Sequence, residues 1–141
     1  MPNYLDEEEF NRWQAHARST LRSAYIDKSS GFYNWACFKA QQSAEYSVKA
    51  FLRGVGSDSF GHSVSMLLKK AGFGENIINL AKKIDKYYIP TRYTDAWSEG
   101  LPEDYYTAEE AEDALGSSEK VISEVDEKWR SLKNAKDNGN S

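Results

Sequence analysis

The stretch Trp35-Ala36-Cys37-Phe38-Lys39-Ala40-Gln41-Gln42-Ser43-Ala44-Glu45-Tyr46-Ser47-Val48-Lys49-Ala50-Phe51-Leu52-Arg53 decides the fold. Within it Ala36, Ala40, Ala44, Val48 and Phe51 recur at intervals of three and four, which is the period of a helix and not the alternation of a strand. The spacing predicts a helix over 35–53, closed by Gly54 and Gly56. Its apolar ridge is built of small side chains, so a neighbouring helix can approach closely. Opposite that ridge Gln42, Glu45 and Lys49 share a face, with Gln41 beside them. Glu45 stands four residues before Lys49, the favourable order for an exposed ion pair worth about 0.3 to 0.5 kcal/mol.

Working outward, the same period continues on both sides. Asp6, with Glu9 three positions on, caps a first helix that shows Phe10, Trp13, Ala17, Leu21 and Ala24 on one face and ends near Lys28. A short helix is predicted over 62–71, with Val64, Leu67, Leu68 and Ala71 inward and Gly72 and Gly74 after it. A fourth carries Ile77, Leu80, Ala81, Ile84 and Tyr88 and stops before Pro90, because a residue preceding proline is pushed out of helical geometry. Residues 89–106 then read as a long loop dense in aromatics. Thr107 and Glu110 form a capping box for a last helix that buries Ala111, Ala114, Ser118, Val121, Ile122, Val125, Trp129 and Leu132. The reading is all-α, with one domain over 1–133 and a polar, disordered tail over 134–141.

The totals agree. A chain of 141 residues and 16.0 kDa supports one core. A mean hydropathy of -0.74 and the lack of a long apolar run exclude a membrane-spanning helix. The opening residues carry acid at 6–9 instead of the basic flank and apolar stretch of a secretion signal, so a cytoplasmic location is expected. One cysteine, Cys37, allows no internal disulfide, and two histidines, His16 and His62, are too few for most zinc chemistry; neither a metal nor a cofactor is expected. Net charge is -4 but divided: residues 13–92 carry twelve basic and five acidic side chains, residues 93–141 five and thirteen. Either the acidic last segment packs beside the basic middle, or a basic face is left open for an anion.

Three groups of residues could carry chemistry. Gln41, Gln42, Glu45 and Lys49 form the first. Arg92, Tyr93, Asp95 and Trp97 form the second: a guanidinium has a fork of donors suited to phosphate, and rings around it can stack on a base. The alternative is that Arg92 pairs with Asp95 or with the acidic last helix while the rings cover the bundle end. The third is His62 at the expected start of the short helix, where an imidazole can meet a phosphate or act as acid or base, or simply cap and pack. Cys37, between Ala36 and Phe38, reads as a small core residue.

Taken in order, residues 35–45 leading to Lys49-Ala50-Phe51-Leu52, then Gly61-His62-Ser63-Val64 before Leu67-Leu68, then Tyr88-Ile89-Pro90-Thr91-Arg92-Tyr93-Thr94-Asp95-Ala96, resemble the HEPN (higher eukaryotes and prokaryotes nucleotide-binding) domain family. The resemblance spans about residues 5–130. It implies an up-and-down bundle of four long helices plus a short one, and commonly a homodimer. It also implies one of two functions. Some members resemble RNA-cleaving toxins of toxin-antitoxin pairs, marked by an arginine followed after four to six residues by a histidine; others pair with a small nucleotidyltransferase and bind nucleotide. Here Arg92 takes the arginine position, while 97, 98 and 99 are Trp, Ser and Glu. Without the histidine, attack of a ribose hydroxyl on phosphate loses its acid or base. The resemblance therefore implies a non-catalytic nucleotide-binding or partner-binding protein, with Arg92 on phosphate, Tyr93 and Trp97 stacking, Asp95 accepting from ribose or base, and Lys49 and His62 as further candidates for the anion. The rivals are a ribonuclease in which His62 replaces the missing histidine, and a plain dimerisation module.

Overall fold

In the computed structural model, which describes residues 4–139, the chain forms five α-helices: α1 (Glu7–Ser29), α2 (Tyr33–Gly54), α3 (Val64–Lys70), α4 (Glu75–Asp85) and α5 (Ala108–Gly139). Two single 3₁₀ turns, Thr94–Ala96 and Pro102–Tyr105, lie between α4 and α5, and no strand occurs among the described residues. The caps are where the sequence places them. Asp6 accepts from the backbone N–H of Glu9 at 3.0 Å, and Thr107 and Glu110 cap α5 reciprocally.

Helices α1 and α2 are antiparallel, tied at their ends by the Asp6 N–H donating to the Gly54 carbonyl at 2.8 Å. Helix α5 runs back along α1, pairing Glu7 with Lys133, Arg18 with Asp126 and Lys28 with Glu112. The predicted ridge of α2 is fully inside this arrangement: Ala36, Ala40, Ala44 and Val48 have no exposed surface, nor do Ala17 and Ala24 of α1 or Ala111 of α5. Small residues on all three helices let the axes come close. Where the axes diverge, large side chains fill the gap. Phe10 stacks on Trp129 at 4.2 Å, and Phe51 meets Phe73 and Trp129 edge-on. The antiparallel pair α3 and α4 closes this wider end, with Leu68, Ile77 and Ile84 inward. No helix among the described residues is long and apolar enough to cross a membrane.

Three expectations change. Helix α4 has 11 residues and ends at Asp85, short of Tyr88, while the all-α bundle of four helices plus the short α3 is as expected. Asp85 is drawn to the start of α3, where its carboxylate accepts from Ser63, Val64 and Ser65, and the chain beyond it tightens as Tyr87 N–H bonds to Ile84. Helix α3 starts at Val64 with Ser63 as its cap, which leaves His62 outside the helix. Finally, α5 continues through Gly139, so residues 134–139 are helical and not a disordered tail; Asn140 and Ser141 fall outside the described residues. The divided charge is met in part by packing, since acids of α5 pair with Arg18, Lys28 and Lys83. Exposed pairs of this kind are worth at most about 1 kcal/mol each.

Candidate functional site

Two groups far apart in sequence meet beside the open face of α2. The first centres on Glu45, which is 2% exposed. A lone buried carboxylate is costly, so it must be paired and hydrogen-bonded. Lys49 approaches to 3.1 Å from the next turn, Gln41 donates to it at 3.1 Å, and His62 Nδ1 stands 3.3 Å from each of its oxygens. Gln41 also donates to the His62 carbonyl at 2.9 Å, fixing that loop residue against α2. Gln42 donates to Gln41 at 2.6 Å and accepts from the Tyr46 hydroxyl at 3.1 Å. The expected surface pair of Glu45 and Lys49 is therefore a buried one. A third partner, His62, arrives from another segment.

His62 itself stacks on the Tyr88 ring at 4.7 Å and 16°. On the same ring the second group begins. The Arg92 guanidinium lies 4.8 Å from Tyr88, 4.2 Å from Phe38 and 5.0 Å from Tyr93, so three ring faces hold the cation by their quadrupoles. Its Nε and Nη2 donate to the Tyr88 carbonyl at 3.0 and 2.7 Å. The rest of its five N–H donors have no acceptor, and no carboxylate pairs with it, among the described residues. Neither Asp95 nor the acidic α5 neutralises it. The root of this loop is rigid: buried Asn34 donates to the Thr91 carbonyl at 3.0 Å and to Glu103 at 3.1 Å, and Thr91 donates to the Tyr87 carbonyl at 2.6 Å.

Of the six residues expected here, the structure brings together Arg92, Tyr93, His62 and Lys49. It does not bring in the other two. Asp95 is exposed and forms no hydrogen bond or ion pair with Arg92. Trp97 serves the loop: its indole N–H donates to the Pro90 carbonyl at 2.8 Å, and its ring stacks on Tyr105 at 4.0 Å and meets Tyr106 edge-on. Trp97 and Tyr106 pack on the cluster of Ala36, Cys37, Ala40 and Ala111. Burial there pushes the Cys37 thiol up to about 12, with Glu110 and Asp113 adding to the shift, so no nucleophilic thiolate forms near neutral pH. Sequence reasoning missed Phe38 and Tyr88. The signal for both was available, since each lies next to residues already singled out in a stretch rich in rings.

The arrangement offers an uncompensated cation framed by flat apolar faces, with half-exposed Tyr93 and the 38% exposed Trp35 at its margin. A free guanidinium fork can hold a phosphate, and flat ring faces can stack on a ring system. An imidazole oriented by the Glu45 carboxylate stacks on the same Tyr88 ring.

Comparison with known proteins bears on this geometry. The family description of the HEPN domain matches residues 10–129. The crystal structure of TT1696 from Thermus thermophilus is 41% identical, with a TM-score of 0.80, over 84% of this chain and 97% of that one. ST0689, an archaeal HEPN homologue, is 35% identical with a TM-score of 0.74, over 84% of this chain and 96% of its own. A HEPN domain protein of Thermotoga maritima, tm0613, is 31% identical with a TM-score of 0.68, over 84% and 98%. No curated protein matches the chain significantly.

Proposed function

The chain belongs to the HEPN family, and on that premise we propose that it is a non-catalytic member that binds a nucleotide through Arg92. The observation that carries this is the guanidinium held over Phe38, Tyr88 and Tyr93 with no carboxylate to neutralise it. A buried or half-buried arginine is ordinarily paired; one that is caged by rings and left with free donors is prepared for an anion. Phosphate fits the fork, and Tyr93 and Trp35 supply the stacking surface for a base. A small nucleotidyltransferase is the partner that fits a nucleotide carrier of this kind.

Calorimetric titration with AMP and GMP beside adenosine and guanosine tests the assignment. Binding that depends on the phosphate and falls at least tenfold in Arg92→Lys is the expected result, because an ammonium cannot reproduce the planar fork. Equal binding of nucleoside and nucleotide, or none of either, contradicts it.

One observation favours the ribonuclease reading: the Glu45 and His62 pair and Arg92 share the Tyr88 ring. Single-stranded and transfer RNA left intact by the purified protein removes that reading, whereas cleavage abolished by His62→Ala replaces ours with it.

A further inference from the structure

The apolar core is left open where the end of α2, the end of α3 and α5 come together. A cavity of about 430 Å³ lies there. Phe51 and Leu52 of its lining are buried members of the core, and Val55, Ala71 and Leu132 are half-buried and pack against it. The volume falls within the range of about 300 to 1,000 Å³ that small-molecule sites occupy, and an apolar lining with a few fixed polar groups is their usual build. Leu132 lies beyond residues 10–129, which the family description matches.

Charge sets the chemistry of what fits. Lys70 and Lys128 line the cavity and no carboxylate does, whereas Glu124 and Glu127 line both of the larger grooves along α5. Lys70 is paired with Asp58. Lys128 has no acid within ion-pair distance among the described residues. Its Nζ donates to the Gly72 carbonyl at 2.8 Å and lies 4.5 Å from the Phe73 ring and 5.9 Å from the Phe51 ring, so the ammonium is fixed beside the apolar lining before a ligand arrives. An ammonium has three donors, and two of them remain. One unpaired cation at the edge of an apolar cavity complements a single negative charge on an aliphatic chain: the chain covers Phe51 and Leu52, and the charged head bonds to Lys128.

We infer that this cavity is a second ligand site, separate from Arg92, which takes an aliphatic monocarboxylate with its head on Lys128 and its chain against Leu52, Ala71 and Leu132. The inference does not rest on the nucleotide reading.

Calorimetric titration with octanoate, octanol and acetate separates the chain from the head. Octanoate is expected to bind at least tenfold more tightly than either of the others. Lys128→Met keeps an apolar stem and removes the charge, and is expected to bring octanoate down to the affinity of octanol. Because Lys128 also holds the Gly72 carbonyl, Leu132→Trp is run beside it. An indole at 132 fills the cavity with Lys128 intact, and octanoate binding is expected to be lost while the helical circular dichroism stays unchanged. No binding of octanoate, equal affinity for octanoate and octanol, or full binding in Leu132→Trp overturns the proposal. Saturating AMP is expected to leave octanoate binding unchanged; displacement by AMP places the carboxylate on Arg92 and overturns it too. Failure of AMP to bind at all refutes the nucleotide reading and leaves the octanoate result standing.

Discussion

His62 Nδ1 lies 3.3 Å from both carboxylate oxygens of Glu45, joining a loop residue to a buried acid 17 positions earlier in the chain. The contact closes a chain of interactions that runs from Lys49 through Glu45 and His62 to the Tyr88 ring, and from there to Arg92. Glu45 is its keystone, since Lys49, Gln41 and His62 all converge on its carboxylate. Replacing it by alanine strands Lys49, whose side chain is 13% exposed. Removing one partner of a buried pair costs about 3 to 5 kcal/mol, and the partial exposure of Lys49 and His62 sets the expectation near the lower figure. Glu45→Gln keeps an oxygen for Gln41 and loses less. Urea unfolding checks both, and a loss under about 1 kcal/mol for the alanine variant contradicts the account.

Two glycines in helices are expected to respond to alanine in opposite directions. At Gly54 an added Cβ meets Trp129 ring atoms at 2.5 and 2.7 Å and the Phe10 Cβ at 3.2 Å. Those two rings are already stacked and have nowhere to go, so Gly54→Ala is expected to cost about 1 to 3 kcal/mol. At Gly116, in α5, nothing lies within 4 Å. Gly116→Ala gains helix propensity and is expected to stabilise by up to about 1 kcal/mol. Thermal unfolding of the two variants side by side decides the matter, and a shift of the same sign in both would be inconsistent with the packing described.

Alkaline pH is expected to unfold the protein early. Burial pushes the Cys37 thiol from 9.0 to about 12, and burial is likewise the main reason that the Tyr25, Tyr87 and Tyr106 hydroxyls move from 10.0 to about 12. Between the unfolded and folded values the folded chain holds more protons, so stability falls as pH rises. The contribution of these four groups is full below pH 9 and is lost as pH rises through about 12. Denaturation midpoints measured at about pH 8, 9, 10 and 11 should decline with increasing slope. A flat profile over that range would show that these groups titrate alike in both states.

Much of the fold was legible because it rests on periodicity. The ridge from Ala36 to Phe51 names α2, and the pairs Asp6 with Glu9 and Thr107 with Glu110 mark two helix starts by local hydrogen bonds alone. What was not legible depends on partners distant in sequence. Helix α4 stops at Asp85 because that carboxylate serves Ser63 to Ser65, some twenty residues upstream. Glu45 looks like half of a surface pair when only its own helix is considered; His62 and Gln41 are what show it buried. Trp97 illustrates a different limit. A loop rich in rings reads the same whether the rings face a ligand or one another, and here Trp97 and Tyr105 face each other. Arg92 was legible as a candidate from its fork and its neighbours, whereas its lack of a carboxylate partner is a property of the folded chain only.

The most direct test of the central claim is thermal unfolding with and without adenine, guanine, cytosine and uracil nucleotides, run on the wild type, Arg92→Ala and Asp95→Ala. A ligand at a hundred times its dissociation constant stabilises by about 2.7 kcal/mol, or several degrees for a domain of this size. The expected result is a shift in the wild type, the same shift in Asp95→Ala, whose exposed side chain forms no hydrogen bond or ion pair with Arg92, and none in Arg92→Ala. No shift with any nucleotide at millimolar concentration, or a shift that survives in Arg92→Ala, would contradict the assignment of the caged guanidinium as the phosphate site.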